Sequence, residues 1–250
     1  MAKLRPAARK TPAELGFSMP AEWEPHEATW LAWPHHHTDW PDKLDTIRWV
    51  YTEIVRKISP GETVRMLVRS TAEEEMARRY LTRAGAGLAR VEYILHATNR
   101  SWTRDTGPVF VRDAFGETAI VHLHFNGWAK YENHELDDKV PKKIASALHL
   151  NRWVPRVEID GESRRVVLEG GSIDVNGKGT LLTTEECLLS TEQERNPGLT
   201  REGYEKVLAD YLGIKHVVWL GEGILGDDTH GHVDDLARFV DVSGTALTSS

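Results

Sequence analysis

The spacing of apolar positions changes along the chain, and each change marks an element. Thr29–Trp33 is a short apolar run that reads as a buried strand. Between Pro41 and Ser59 the period lengthens: Ile47, Val50, Tyr51, Ile54 and Ile58 share one face of a helix, which Pro60 and Gly61 end. Thr63–Arg69 alternates Val64, Met66 and Val68 and predicts a strand. Thr71 with Glu74 has capping-box spacing and opens a helix that Gly85 stops. Val91–His96 predicts another strand, and residues 1–17, polar, basic and with two prolines, read as a disordered lead-in.

Further on, one pattern recurs. Asp105 precedes strand-like runs at Val109–Arg112 and Thr118–Phe125, which join through Phe115-Gly116. Glu169 precedes Ile173–Val175 and Gly179–Thr184, joined through Asn176-Gly177. His232 precedes Leu236–Val240 and Thr245–Ser249, joined through Ser243-Gly244. Each is a polar residue heading a hairpin with glycine in its turn. Each follows a helix-like segment: Thr71–Ala84, Asp138–Leu148, and Thr200–Leu212 with Gly213 as its stop. The heads lie 64 and 63 residues apart. Such a period predicts an array of similar α/β modules that bring one polar residue each to a common end.

Composition narrows the chemistry. The chain has 250 residues and a formal charge of -7, which disfavours a nucleic-acid surface and favours a small cationic substrate. It contains no apolar run long enough to span a membrane. The basic N-terminus has no apolar stretch behind it, so a secretory signal is not expected. The single cysteine, Cys187, fits a reducing cytoplasm and excludes an internal disulfide. It lies between acids and leucines, surroundings that raise a thiol pKa, and reads as structural.

Several residues carry candidate chemistry. Asp105 sits in Ser101-Trp102-Thr103-Arg104-Asp105-Thr106-Gly107-Pro108. An ionised Asp accepts a forked pair of N–H donors and suits a guanidinium, while a salt bridge with Arg104 is the structural alternative. Trp102 can cover a cation or an apolar linker. Glu169 ends the apolar run Val166-Val167-Leu168 before Gly170-Gly171, a place for a catalytic acid, or simply for a solvated strand end. In Gly226–Asp235, an extended backbone would put His230, His232 and Asp234 on one side. That set suits a metal, or a metal-free acid/base histidine beside a substrate-binding carboxylate. His35-His36-His37 reads as a polar loop near the site entrance.

Taken together, these segments resemble the agmatine deiminase and bacterial peptidylarginine deiminase family of guanidine-modifying enzymes, and the agmatine deiminase branch most. The landmarks run in order: Met19–His26, Thr29–Pro34, Trp102–Pro108, Phe125-Asn126-Gly127-Trp128, Leu168–Gly171, Thr184–Leu189, Arg195-Asn196-Pro197 and Gly231–Asp234. The resemblance implies an α/β fold of the pentein type, a pseudo-fivefold propeller of ββαβ-type modules, spanning 18–250 here. At about 63 residues per module, about four modules fit into the chain. The implied reaction is hydrolysis of agmatine to N-carbamoylputrescine and ammonia, a step towards putrescine in polyamine biosynthesis, through a covalent cysteine intermediate. Asp105 and Asp234 would grip the guanidinium, Glu169 would pair with it and with the histidine, and His232 would be the general acid/base. Trp102 and Trp128 would line the pocket.

The resemblance implies no metal and no cofactor, and a cytoplasmic enzyme. It places the nucleophilic cysteine in a late Gly-rich segment that has no counterpart before Ser250. The domain is therefore expected to be C-terminally incomplete, and the chain as it stands unable to finish the cycle. Open strand edges would then favour association, a homodimer among the forms allowed. Peptidyl- or free arginine is an alternative substrate. A guanidinium-binding module without catalysis, and a metal-dependent hydrolase using His230, His232 and Asp234, are the other functions weighed.

Overall fold

The computed structural model describes residues 10–248. Its first unit is a parallel sheet of β1 (Ala28–Ala32), β2 (Thr63–Val68) and β3 (Val91–Leu95), in that order, crossed by α1 (Leu44–Ile58) and α2 (Thr71–Arg83). Parallel pairing requires such crossovers, and the helices cover the sheet over Trp33, Val55, Val64, Met66, Ala77 and Leu81. The helix face is rotated from the one expected. Val50 is exposed, whereas Thr52 and Val55 are buried. Thr52 can lie inside because its Oγ1 donates to the Trp49 carbonyl at 2.6 Å. The cap of α2 is also one residue earlier than Thr71: Ser70 Oγ accepts from the Glu73 amide, and Glu73 in turn accepts from the Arg69 amide.

After the single-turn helix α3 (Thr103–Thr106) comes the antiparallel hairpin of β4 (Val109–Arg112) and β5 (Thr118–Val121). Helix α4 (Val140–Leu148) then returns the chain to β6 (Arg152–Trp153), parallel to β5. A small hairpin follows, β7 (Arg156–Ile159) with β8 (Glu162–Arg165). The hairpin, helix and parallel strand recur with β9 (Asp174–Val175) and β10 (Thr180–Thr184). The short α5 (Glu185–Leu189) and the longer α6 (Arg201–Leu212) then lead to β11 (His216–Leu220), parallel to β10. A last hairpin, β12 (Ala237–Phe239) with β13 (Ala246–Thr248), completes the described residues.

Two units therefore share a ββαβ order, while the first unit is all-parallel. One core joins the two ββαβ units through Val111, Val121, Leu181, Tyr204, Leu208 and Leu212. The expected disordered lead-in divides. Residues 1–9 lie outside the described residues, and from Lys10 onwards the chain is ordered against this core. Phe17 is buried there, and Trp153 Nε1 donates to the Lys10 carbonyl at 3.0 Å. No helix among the described residues is long and apolar enough to cross a membrane.

Candidate active site

Each of the three recurring polar residues sits in or just before a single helical turn that leads into its hairpin. Asp105 lies within α3, Glu169 precedes the 3-10 turn Gly170–Ser172, and His232 precedes the 3-10 turn Val233–Asp235. The turns pack on one another around Gly171, which has no side chain to fill the space. A β-carbon built there would lie 2.5 Å from His232 Nδ1, 2.7 Å from Asp105 Oδ1 and 3.0 Å from Asp234 Oδ2. Asp105 thus meets His232 and Asp234, although it lies far from both of them in the chain.

Backbone and neighbouring side chains fix each group. Asp105 Oδ1 accepts the Gly171 amide at 2.9 Å, and Oδ2 accepts Trp128 Nε1 at 3.0 Å. Trp128 is thus a buried partner of Asp105. Glu169 is fully buried, and its Oε1 accepts Arg195 Nε at 3.1 Å. Arg195 is fixed in turn by the Gln193 and Thr229 carbonyls. The main chain before His232 is folded around Asp227, whose carboxylate accepts from the amides of Thr229, Gly231 and His232. Burying polar groups demands such partners, and here most are backbone amides or an arginine.

His232 stands 3.8 Å from a carboxylate oxygen of each of Asp105, Glu169 and Asp234. Burial alone would lower its pKa. The surrounding acids, Asp105 foremost, outweigh burial and raise it to about 9. Burial and the neighbouring Glu169 hold Asp105 above the ordinary carboxylate range despite the opposing pull of His232. Asp234 is pushed up to about 6 by burial and by Asp105. Glu169 shows the reverse balance, since Arg195 and His232 overcome its burial and leave its pKa lowered. Asp234 Oδ2 lies 3.7 Å from Arg104 Nε, beyond hydrogen-bond length, and its carboxylate is partly open to solvent.

Several expectations change at this point. His230 does not join His232 and Asp234. The chain reverses through left-handed His230 and Gly231, so the alternation of an extended strand is lost. His230 Nε2 instead meets Ser190 Oγ at 3.1 Å, and the three-residue metal site is not assembled. Arg104 does not pair with Asp105 as the structural alternative required; its guanidinium bonds Glu22, which also holds Arg238. Trp102 is exposed, donates from Nε1 to Asp39 Oδ2 at 3.2 Å and leans on Trp40. His35 is partly buried against Thr98, with its pKa lowered to about 3 by burial, while His36 and His37 stack on each other. Cys187 is buried at the start of α5, its amide held by Thr184 Oγ1 at 3.0 Å. Burial, with Glu169 nearby, pushes its thiol pKa well up.

Arg195, Asp227 and Gly171 received no role from the sequence. A signal for Arg195 existed, since a fully buried glutamate requires a counter-charge. Nothing local in the sequence announces that Gly171 faces His232 from another module.

The chain is thus an α/β protein whose modules meet at a buried cluster of carboxylates and one histidine, with a glycine-sized gap between them. Residues 18–250 match the family of Porphyromonas-type peptidyl-arginine deiminases, and the chain belongs to that family. Over 235 residues it is 37% identical to the agmatine deiminase of Stutzerimonas stutzeri, covering 92% of this chain and 60% of that protein. It is 39% identical to the agmatine deiminase of Ectopseudomonas mendocina, with the same coverage. The solved agmatine deiminase of Enterococcus faecalis superposes with a TM-score of 0.84 at 35% identity, over 96% of this chain and 62% of that one. An agmatine deiminase of C. jejuni gives a TM-score of 0.68 at 28% identity, over 90% of this chain and 61% of that one. The chain thus spans about 60% of the length of these curated relatives.

Proposed function

We propose that this chain grips the guanidinium group of a small cationic guanidino compound, agmatine by likeness to its relatives. In this proposal it also supplies the proton-transfer groups for hydrolysis to N-carbamoylputrescine and ammonia. The observation that carries the proposal is the convergence of Asp105, His232 and Asp234 on the empty side of Gly171. A guanidinium is planar and offers N–H pairs on its edges, and carboxylates are their natural acceptors. Asp105 is pre-oriented by the Gly171 amide and Trp128, yet each of its oxygens keeps a further lone pair. Asp234 has both oxygens beyond hydrogen-bond length of Arg104 and His232, ready to accept the cation.

His232 is the proton donor to the departing ammonia and the base that later activates water. Its raised pKa keeps it protonated near neutrality, the state that the first of those steps needs. Glu169 fixes the imidazole from behind and is itself fixed by Arg195. The sole thiol of the 250 residues, Cys187, is buried with a raised pKa, so these residues are assigned gripping and proton transfer rather than nucleophilic attack. The repeated hairpin units are taken as blades of a pseudo-fivefold propeller. The recurring ββαβ order and the 64- and 63-residue spacing support this.

Calorimetric titration of agmatine, arginine and an arginyl peptide into the 250-residue chain tests the proposal, with a ureido-product assay run in parallel. Agmatine binding that exceeds that of the other two is expected. Preference for the arginyl peptide would move the substrate assignment, and no binding of any guanidino compound would overturn it. Binding without product would restrict these residues to recognition.

A further inference from the structure

Behind the guanidinium-facing side of the cluster, three donor atoms face one another without a common partner. One oxygen of Glu169, one ring nitrogen of His232 and Cys187 Sγ lie within 4.8 Å of one another, and all three residues are buried. Glu169 Oε2 and His232 Nε2 are removed from water yet have no hydrogen-bond partner, and they stand 3.8 Å apart. Buried polar atoms without a hydrogen bond are uncommon because each costs its lost hydration. The other atoms of these residues are engaged: Glu169 Oε1 with Arg195, His232 Nδ1 facing Asp105 and Asp234, and the Cys187 amide with Thr184.

We propose that Glu169, His232 and Cys187 form a binding site for a soft divalent cation of the zinc type. One nitrogen, one oxygen and one sulfur donor suit such an ion, which accepts a fourth ligand from solvent. The carboxylates facing His232 Nδ1 orient the ring as partners of metal-bound histidines do. On binding, the Cys187 S–H proton and the His232 Nε2–H proton both pass to solvent, the thiolate and Glu169 balance the two positive charges, and no electron is transferred. The ligand set differs from the His230, His232 and Asp234 set, which is not assembled, and the bound ion would act as an inhibitor. Occupancy ties up the nitrogen that faces Glu169, so the ion would compete with the proton-transfer role proposed above. That consequence alone rests on the deiminase proposal.

The test titrates Co2+ into the full chain carrying His36→Ala and His37→Ala, which removes the stacked histidine pair as a competitor. One equivalent should bind with a near-ultraviolet sulfur-to-cobalt charge-transfer band that Zn2+ abolishes by displacement. Cys187→Ser should lose the band, and Glu169→Gln should weaken binding about tenfold or more. Absence of the band with Cys187 intact overturns the site without reliance on any core variant, as does binding that Glu169→Gln leaves unchanged. Because the readout is coordination and not turnover, failure of the deiminase assignment leaves this test decisive.

Discussion

Replacing Gly171 by alanine should strongly weaken guanidinium recognition while leaving the protein folded. The backbone does not oppose the change, since Gly171 is not among the left-handed glycines. The added methyl would lie 2.5 Å from His232 Nδ1, 2.7 Å from Asp105 Oδ1 and 3.0 Å from Asp234 Oδ2. With a comfortable separation of about 3.5 Å, the three groups must retreat by about 1.0, 0.8 and 0.5 Å. Overpacking of this kind costs roughly 1–3 kcal/mol of stability, which side-chain ends can absorb. Pulling a carboxylate out of a charged hydrogen-bonded pair costs roughly 2–5 kcal/mol, at least about 30-fold in affinity. Calorimetry with agmatine should therefore show affinity weaker by at least about 30-fold, with only a modest fall in melting temperature. Gly170→Ala is the contrasting variant, because its methyl would meet the Arg104 carbonyl at 2.1 Å and must displace main chain. Its loss should appear first in the melting temperature. Unchanged agmatine affinity in a folded Gly171→Ala protein would refute the claim that Asp105, His232 and Asp234 form the guanidinium site.

Asp234→Ala should weaken agmatine binding by roughly 2–5 kcal/mol in the same titration, the usual effect of removing one partner of a charged hydrogen-bonded pair; wild-type affinity would remove Asp234 from the site. Arg195→Ala leaves Glu169 buried without its counter-charge and should cost about 3–5 kcal/mol in urea unfolding, with Glu169→Gln restoring part of it. Asp137 is buried and its pKa is raised to about 7, chiefly by burial, although it accepts the Asn99 and Arg100 amides. A raised folded pKa means that its contribution is complete below about pH 4 and is lost as pH rises to about 7, at most about 4 kcal/mol. Asp137→Asn should flatten that part of the stability profile, and an unaltered profile would refute the assignment.

Local pattern made much of the fold legible. The hairpins after Asp105, Glu169 and His232 carry their own turn glycines, and the helix stop at Gly213 appears where expected, in a left-handed cap. Spacing also exposed the heads, because each unit repeats a polar residue before its hairpin. Details that depend on contacts between units were not legible. The face of α1 is set by what the first sheet covers, so Val55 is buried and Val50 is not. The extended reading of His230–Asp234 failed because Asp227 gathers three amides and coils the segment. Trp128 illustrates a further limit: the resemblance offered it for the pocket lining, and nothing in the sequence announced that its buried ring N–H would hold Asp105.

The crowding of acids around His232 has a consequence for the energy landscape. Asp105, Glu169 and Asp234 belong to separate stretches of chain, and only folding forces them together. In the unfolded chain their mutual repulsion is small and water solvates each of them. The folded, empty site is therefore a point of local frustration, where the interactions that make recognition possible oppose the structure that presents them. Under the proposed function a guanidinium placed among these carboxylates would relieve that conflict, and ligand binding would then raise the stability of the folded chain.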